Sequence, residues 1–208
     1  MAAITPARPG IWTWLGKDPD HGFEIIGHVV TYGSGLAAID PPDTPGGADE
    51  VRALGDVRLV AITGPGHVRG GPKLARALDV PLVAPPCARS ELAEAGAAAD
   101  AEVHDGDARE GWQVLGMRVE EDGKVWEEVA YYAAGQRLLV VGDLLSVEDG
   151  QLIVQPPKYY GIAPRHFAPV VRRLASLQVD TLCTAHSGVC SEDVGPRLRS
   201  LAAQLEAE

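Results

Sequence analysis

Three apolar runs each end in a side chain able to ligate a metal: VRLVAITGPGH at His67, RLLVVGD at Asp143 and VDTLCTAH at His186. In α/β folds, sites form where strand ends and their following loops open at one sheet edge, so the repetition points to one shared site. Two imidazoles and a carboxylate suit Zn²⁺, Fe²⁺ or Mn²⁺ and leave coordination positions for water or substrate. An ion held this way makes a hydroxide nucleophile or polarises a carbonyl. Taken singly, each residue has an ordinary reading. His67 could be a loop or hydrogen-bonded structural histidine, Gly142-Asp143 a turn or helix cap, and His186 the residue before a Ser187-Gly188 turn. The chemical reading rests on their coincidence.

The elements that must position these residues are legible from periodicity. Residues 11–14 and 23–40 read as β structure, with VVTY and LAAID joined through Gly33-Ser34-Gly35 as a hairpin. GADEVRAL is expected as a helix, VRLVAI as an interior strand, PKLARAL as a helix, DVPLVAP as a strand and SELAEAG as a short helix. WQVLGMRVE and EEVAYYA pair across a turn, and Gly135-Gln136 leads into RLLVVGD. QPPKYYGIAP reads as irregular, RHFAPVVRRLASL as a helix, VDTLCTA as a strand and VGPRLRSLAAQLEAE as a closing helix that frays beyond Leu205. Two β-rich halves packed face to face with helices outside would satisfy this order.

With 208 residues, the chain is expected to form one domain, 1–208, with a substantial core. A formal charge of −11 without a Lys/Arg cluster argues against nucleic acid. Cys87, Cys183 and Cys190 are odd in number and show no CxxC, which favours reduced thiols in a cytoplasmic protein. No run approaches the roughly 20 apolar residues that span a bilayer, so no membrane partner is expected. The aromatics Trp12, Trp14, Trp112, Trp126, Tyr159 and Tyr160 read as core or rim packing that partly lines a pocket. His21, His28, His104 and His166 have no partner pattern.

At its three strand ends the chain resembles the metallo-β-lactamase fold superfamily, especially its glyoxalase II-like hydrolases, over nearly its whole length. YGSGLAAIDPP is similar to the family's opening hairpin, and the histidine motif, Gly-Asp strand end and late histidine follow in order. The resemblance implies an α/β fold, a four-layer αββα sandwich with metals at one edge of the two sheets. The family motif T-H-x-H-x-D-H departs sharply here. Thr63 is followed by Gly64-Pro65-Gly66-His67-Val68-Arg69-Gly70-Gly71, so only the last histidine matches, at His67, and Gly66 stands at the aspartate position. Lys124 stands where a further family histidine would be. By resemblance the first metal site loses its histidines, while His67, Asp143 and His186 remain for one ion or none.

The expected function is therefore a metal-dependent hydrolase with an incomplete, at most mononuclear site, acting on a small-molecule substrate such as an ester or thioester. The alternative is a non-catalytic protein that keeps the fold and binds a ligand or partner. Lys124, if it points inward, would place an ammonium beside Asp143 as a catalytic pair; its other reading is the exposed turn EEDGK. GPGHVRGG matches neither phosphate-loop fingerprint, but Arg69 with the loop amides could capture an anion. Lys158, Tyr159 and Tyr160 fall in the segment expected to cover the metal edge and are substrate-contact candidates. An exposed sandwich edge would support a homodimer.

Overall fold

A computed structural model describes residues 4–18, 22, 24–155 and 157–207. The chain opens with four antiparallel strands, β1 (Ile4–Arg8), β2 (Ile11–Lys17), β3 (Glu24–Tyr32) and β4 (Gly35–Ile39). Then come α1 (Gly47–Leu54), β5 (Val57–Ala61), α2 (Gly71–Leu78), β6 (Leu82–Ala84), α3 (Arg89–Glu94), β7 (Ala101–Glu102) and β8 (Ala108–Arg109). The second half holds β9 (Trp112–Glu121), β10 (Lys124–Ala133), β11 (Leu138–Val140), β12 (Leu145–Glu148) and β13 (Gln151–Val154). It finishes with α4 (Pro157–Tyr160), α5 (Ala168–Ala175), β14 (Thr181–Thr184), β15 (Gly188–Cys190) and α6 (Val194–Ala207).

The strands form a seven-stranded sheet in the order β1 to β7 and a six-stranded sheet ordered β15-β14-β11-β10-β9-β8, with β12-β13 as a separate hairpin. Three apolar clusters define the layering. One packs α1–α3 residues such as Val51, Leu74 and Leu92 against the outer face of the first sheet. Another packs α5 and α6, through Val171, Leu174, Leu198 and Leu201, against the outer face of the second. Between the sheets lies the third, which includes Val30, Ile39, Val114, Tyr131 and Val140. This is the expected αββα sandwich. Along β10, Trp126, Ala130 and Tyr132 belong to the helix-side cluster and Val129, Tyr131 and Ala133 to the inter-sheet cluster, as a period of two demands. Trp126 and Phe167, both essentially inaccessible, meet with ring centroids 5.5 Å apart.

Most elements follow the periodicity, and the differences are local. Gly33 turns the β3–β4 hairpin at φ 55, a left-handed conformation that favours glycine. The supposedly irregular QPPKYYGIAP contains the short helix α4, and α6 stays helical through Ala207 instead of fraying at Leu205. Strand β1 and the β12–β13 hairpin escape the sequence reading because both are short, and β1 is exposed at four of its five positions. The three cysteines are free thiols. Among the described residues no helix is long and apolar enough to cross a membrane.

Candidate metal centre

Sheet topology explains why distant residues converge. Strand β5 runs parallel to β4, and β11 parallel to β14, so the chain leaves β11 and β14 at one edge of the second sheet. Asp143 follows β11 and His186 follows β14, and their side chains meet, with His186 Nε2 2.8 Å from Asp143 Oδ1. The segment after β5 makes a 3₁₀ turn, Pro65–His67, that carries His67 Nε2 to 3.1 Å from the same oxygen. Cross-sheet hydrogen bonds fix the edge: the Val129 amide donates to the Thr63 carbonyl at 2.8 Å and the Ile26 amide to the Ala185 carbonyl at 3.0 Å. The three sequence candidates thus share one site.

Two buried carboxylates complete it, and sequence reasoning passed over both. Glu128, 3 % exposed, places Oε1 3.6 Å from His67 Nε2 and accepts the Asp143 amide at 3.0 Å through Oε2. Its signal was in the pairing register. Tyr131 pairs with Val140 in the antiparallel β10–β11 ladder, and continuing that register three residues sets Glu128 opposite Asp143. Asp40, at the end of β4 with φ 50, accepts the Thr63 amide at 2.8 Å and its hydroxyl at 2.7 Å. Its Oδ2 lies 3.3 Å from His67 Nδ1, an arrangement that orients the imidazole and leaves Nε2 directed at Asp143 and Glu128.

Donor atoms of His67, Glu128 and Asp143 all lie within 4.8 Å of one another, close enough to share one cation. The ring nitrogens of His67 are fully buried and near carboxylates, yet neither makes a properly aimed hydrogen bond. A buried imidazole with an unsatisfied Nε2 beside two carboxylate oxygens fits a divalent ion of the zinc, iron or manganese type. His186 reaches the cluster through Asp143 and stands at its rim, about one-fifth exposed.

The charges also call for a cation. Burial alone would lower the pKa of His67, but the Asp143 and Asp40 carboxylates outweigh it and hold the imidazole well above its ordinary 6.5. Glu128 moves up to about 8, chiefly through burial, with Asp143 and Asp40 adding to the rise and His67 opposing it. Burial pushes Asp143 upward too, but the adjacent His67 and His186 prevail and keep it below the ordinary carboxylate range. Burial and these charges together favour the protonated form of His67, the ionised form of Asp143 and the neutral form of Glu128.

The remaining sequence candidates divide. Lys124 does not pair with Asp143: it is exposed at the start of β10, and its ammonium donates to the Gly161 carbonyl at 2.7 Å. The bond ties β10 to the end of α4, and the alternative reading of an exposed hairpin turn is the one that holds. Tyr160, 44 % exposed, projects from α4 close enough that burial and the charges of Asp143, Glu128 and Glu91 raise its phenol pKa. Tyr159 is more exposed, at 64 %. The Lys158 side chain and His21 lie outside the described residues. Arg69 is half-buried at φ 31, and its Nη1 is shielded from solvent without a hydrogen-bond partner. His28 is structural, its Nε2 3.0 Å from the Thr184 carbonyl, and His166 sits 2.9 Å from Glu121.

Glycine makes room for this arrangement. A Cβ on Gly64 would come within 2.6 Å of Glu128 Cγ, and one on Gly142 within 2.5 Å of Thr63 Oγ1 and 2.7 Å of Glu128 Oε2. Gly64 has extended backbone that any residue adopts, so only the contact with Glu128 is at stake. Gly64→Ala is expected to displace Glu128 and lower stability by about 1–3 kcal/mol, measured by denaturant unfolding. Unchanged stability together with unchanged metal affinity would show that Glu128 is not confined by this loop.

No protein-family model and no curated protein sequence matches the chain. Solved structures do match. The chain is similar to the metallo-β-lactamase TMB-1, with a TM-score of 0.72 and 15% identity, covering 97% of this chain and 96% of the other. It is also similar to the metallo-β-lactamase of Hirschia baltica (TM-score 0.67, 14% identity, 96% of each chain). The mono-zinc form of FIM-1 from Pseudomonas aeruginosa gives a TM-score of 0.68 at 14% identity, over 97% and 94% of the two chains. With its layer order, its strand-end cluster and these matches, the chain has the metallo-β-lactamase fold.

Proposed function

We propose that the protein is a mononuclear metal-dependent hydrolase of small esters or thioesters, with His67, Glu128 and Asp143 holding the ion and His186 completing or orienting the set through Asp143. The observation that carries this reading is the unsatisfied, buried Nε2 of His67 facing two carboxylates within ligating reach. A bound ion would supply Lewis-acid polarisation of a carbonyl and a water acidic enough to ionise near neutral pH. Asp40 keeps the His67 ring turned toward the centre, and Asp143 ties His67 to His186. Tyr160, at the exposed rim, is the group offered to substrate.

A second reading has its own support. The two earlier histidines of the family motif have no counterpart here and Gly66 stands at its aspartate position, while the Glu128 side chain occupies the space beside Gly64, which favours a fold retained for ligand binding without turnover. One experiment separates the two. Protein purified without chelators, then stripped and reconstituted with zinc, manganese or ferrous iron, is assayed for metal by mass spectrometry and for hydrolysis of p-nitrophenyl acetate and a simple thioester. About one metal per chain with metal-dependent turnover is expected. Metal without turnover would favour the binding protein, and substoichiometric metal that fails to rise on reconstitution would remove the hydrolase reading.

A further inference from the structure

Away from the His67 centre, the two sheets do not close completely. Between them lies a cavity of about 290 Å³ whose lining includes Ala37, Ile39, Ala61, Trp112, Val114 and Tyr131, and none of the residues of the metal centre. Small residues create the space, since Ala37 and Ala61 occupy inward positions on β4 and β5 where a sandwich core ordinarily carries larger side chains. Mainly apolar walls of this kind suit the apolar part of a small ligand. The walls are held in place: Trp112 donates its indole N–H to the Thr31 carbonyl at 3.2 Å, and the Tyr131 hydroxyl donates to the Ile62 carbonyl at 2.9 Å.

The polar groups lining the cavity are not equivalent. Glu102 is paired with Arg89, and Asp107 accepts the His104 amide at 2.8 Å. Arg109 is exposed and makes no ion pair among the described residues; it and Glu110 act on the neighbouring Tyr32 phenol in opposite senses. An adjoining surface hollow shares Tyr32, Leu59, Val83, Ala101 and Arg109 with the cavity, so the space continues outward past that guanidinium. Largely apolar walls with one guanidinium outside any ion pair suit an apolar body bearing a single anionic end.

We propose that this inter-sheet cavity binds a small amphipathic monocarboxylate, its apolar part against Ala37, Ile39, Ala61 and Trp112 and its carboxylate at Arg109. The test is calorimetric titration of the full-length protein with octanoate and with octanol. Octanoate is expected to bind saturably and about five- to tenfold more tightly than octanol, a preference that Arg109→Gln removes. Ala61→Leu should abolish binding of both while the protein still melts cooperatively, with Ala37→Val as the second filling variant if Ala61→Leu does not fold. Asp143→Asn should bind octanoate like the parent. No saturation into the millimolar range, equal affinity for the two probes, unaltered binding in the filled variants, or loss of binding in Asp143→Asn would each overturn the proposal, the last by assigning the carboxylate to the His67 centre.

Discussion

Asp143→Asn is expected to weaken divalent-metal binding by about 100-fold or more, with little change in far-ultraviolet circular dichroism. The side chain sits where both imidazoles meet: Oδ1 lies 3.1 Å from His67 Nε2 and 2.8 Å from His186 Nε2. Replacing it with an amide keeps the shape but removes the carboxylate that touches both rings. The same change should lower the pKa of His67, because Asp143 is the foremost of the groups raising it against burial. Equilibrium dialysis with metal quantification reads the first effect, and NMR titration of the imidazole the second. Parental affinity in the variant would mean that the ion, if any, is held elsewhere.

Metal-free protein should lose stability as pH rises from about 4.5 to about 8. Glu128 titrates near 4.5 as a free side chain and near 8 when folded, so across that window the folded state holds a proton the unfolded chain has released. His67 acts in the same direction. Its folded pKa is raised, so its contribution is full below 6.5 and disappears as pH climbs through the folded value. Asp143 has the opposite sign, but its window lies below 3.8, and His28, lowered by burial, opposes the trend only below 6.5. The limiting slope for one proton is about 1.4 kcal/mol per pH unit. Denaturant unfolding of chelator-treated protein at pH 5.5, 7 and 8.5 would measure it. Glu128→Gln should flatten the slope and be more stable than the parent at pH 8.5. Added metal should reverse the trend, because ligation expels the protons of His67 and Glu128 and so tightens with rising pH. A slope that rises with pH in the metal-free parent would contradict the assignment of the buried proton.

These two expectations rest on residues of unequal legibility. His67, Asp143 and His186 could be picked out because each closes an apolar strand run, and parallel strands deliver their carboxyl ends to a common edge. Lys124 illustrates the opposite case. A residue aligned by motif spacing in a hairpin turn had equal freedom to face inward or outward, and the Gly161 carbonyl, remote in sequence, captured its ammonium. Glu128 could have been inferred only by extending the β10–β11 register, and Asp40 only by knowing that the end of β4 lies against the loop carrying Thr63 and His67.

The sequence alone determined the order of the elements, the two-sheet sandwich and the identity of three strand-end residues, because local periodicity and strand-to-loop transitions are short-range properties written in consecutive side chains. Tertiary structure alone decided that buried carboxylates from β4 and β10 join His67, that Lys124 stays outside, and that alanines on the adjacent strands β4 and β5 leave a cavity near Arg109. Those outcomes depend on inter-sheet packing between segments tens of residues apart, where burial and charge pairing, and not local propensity, set the free energy.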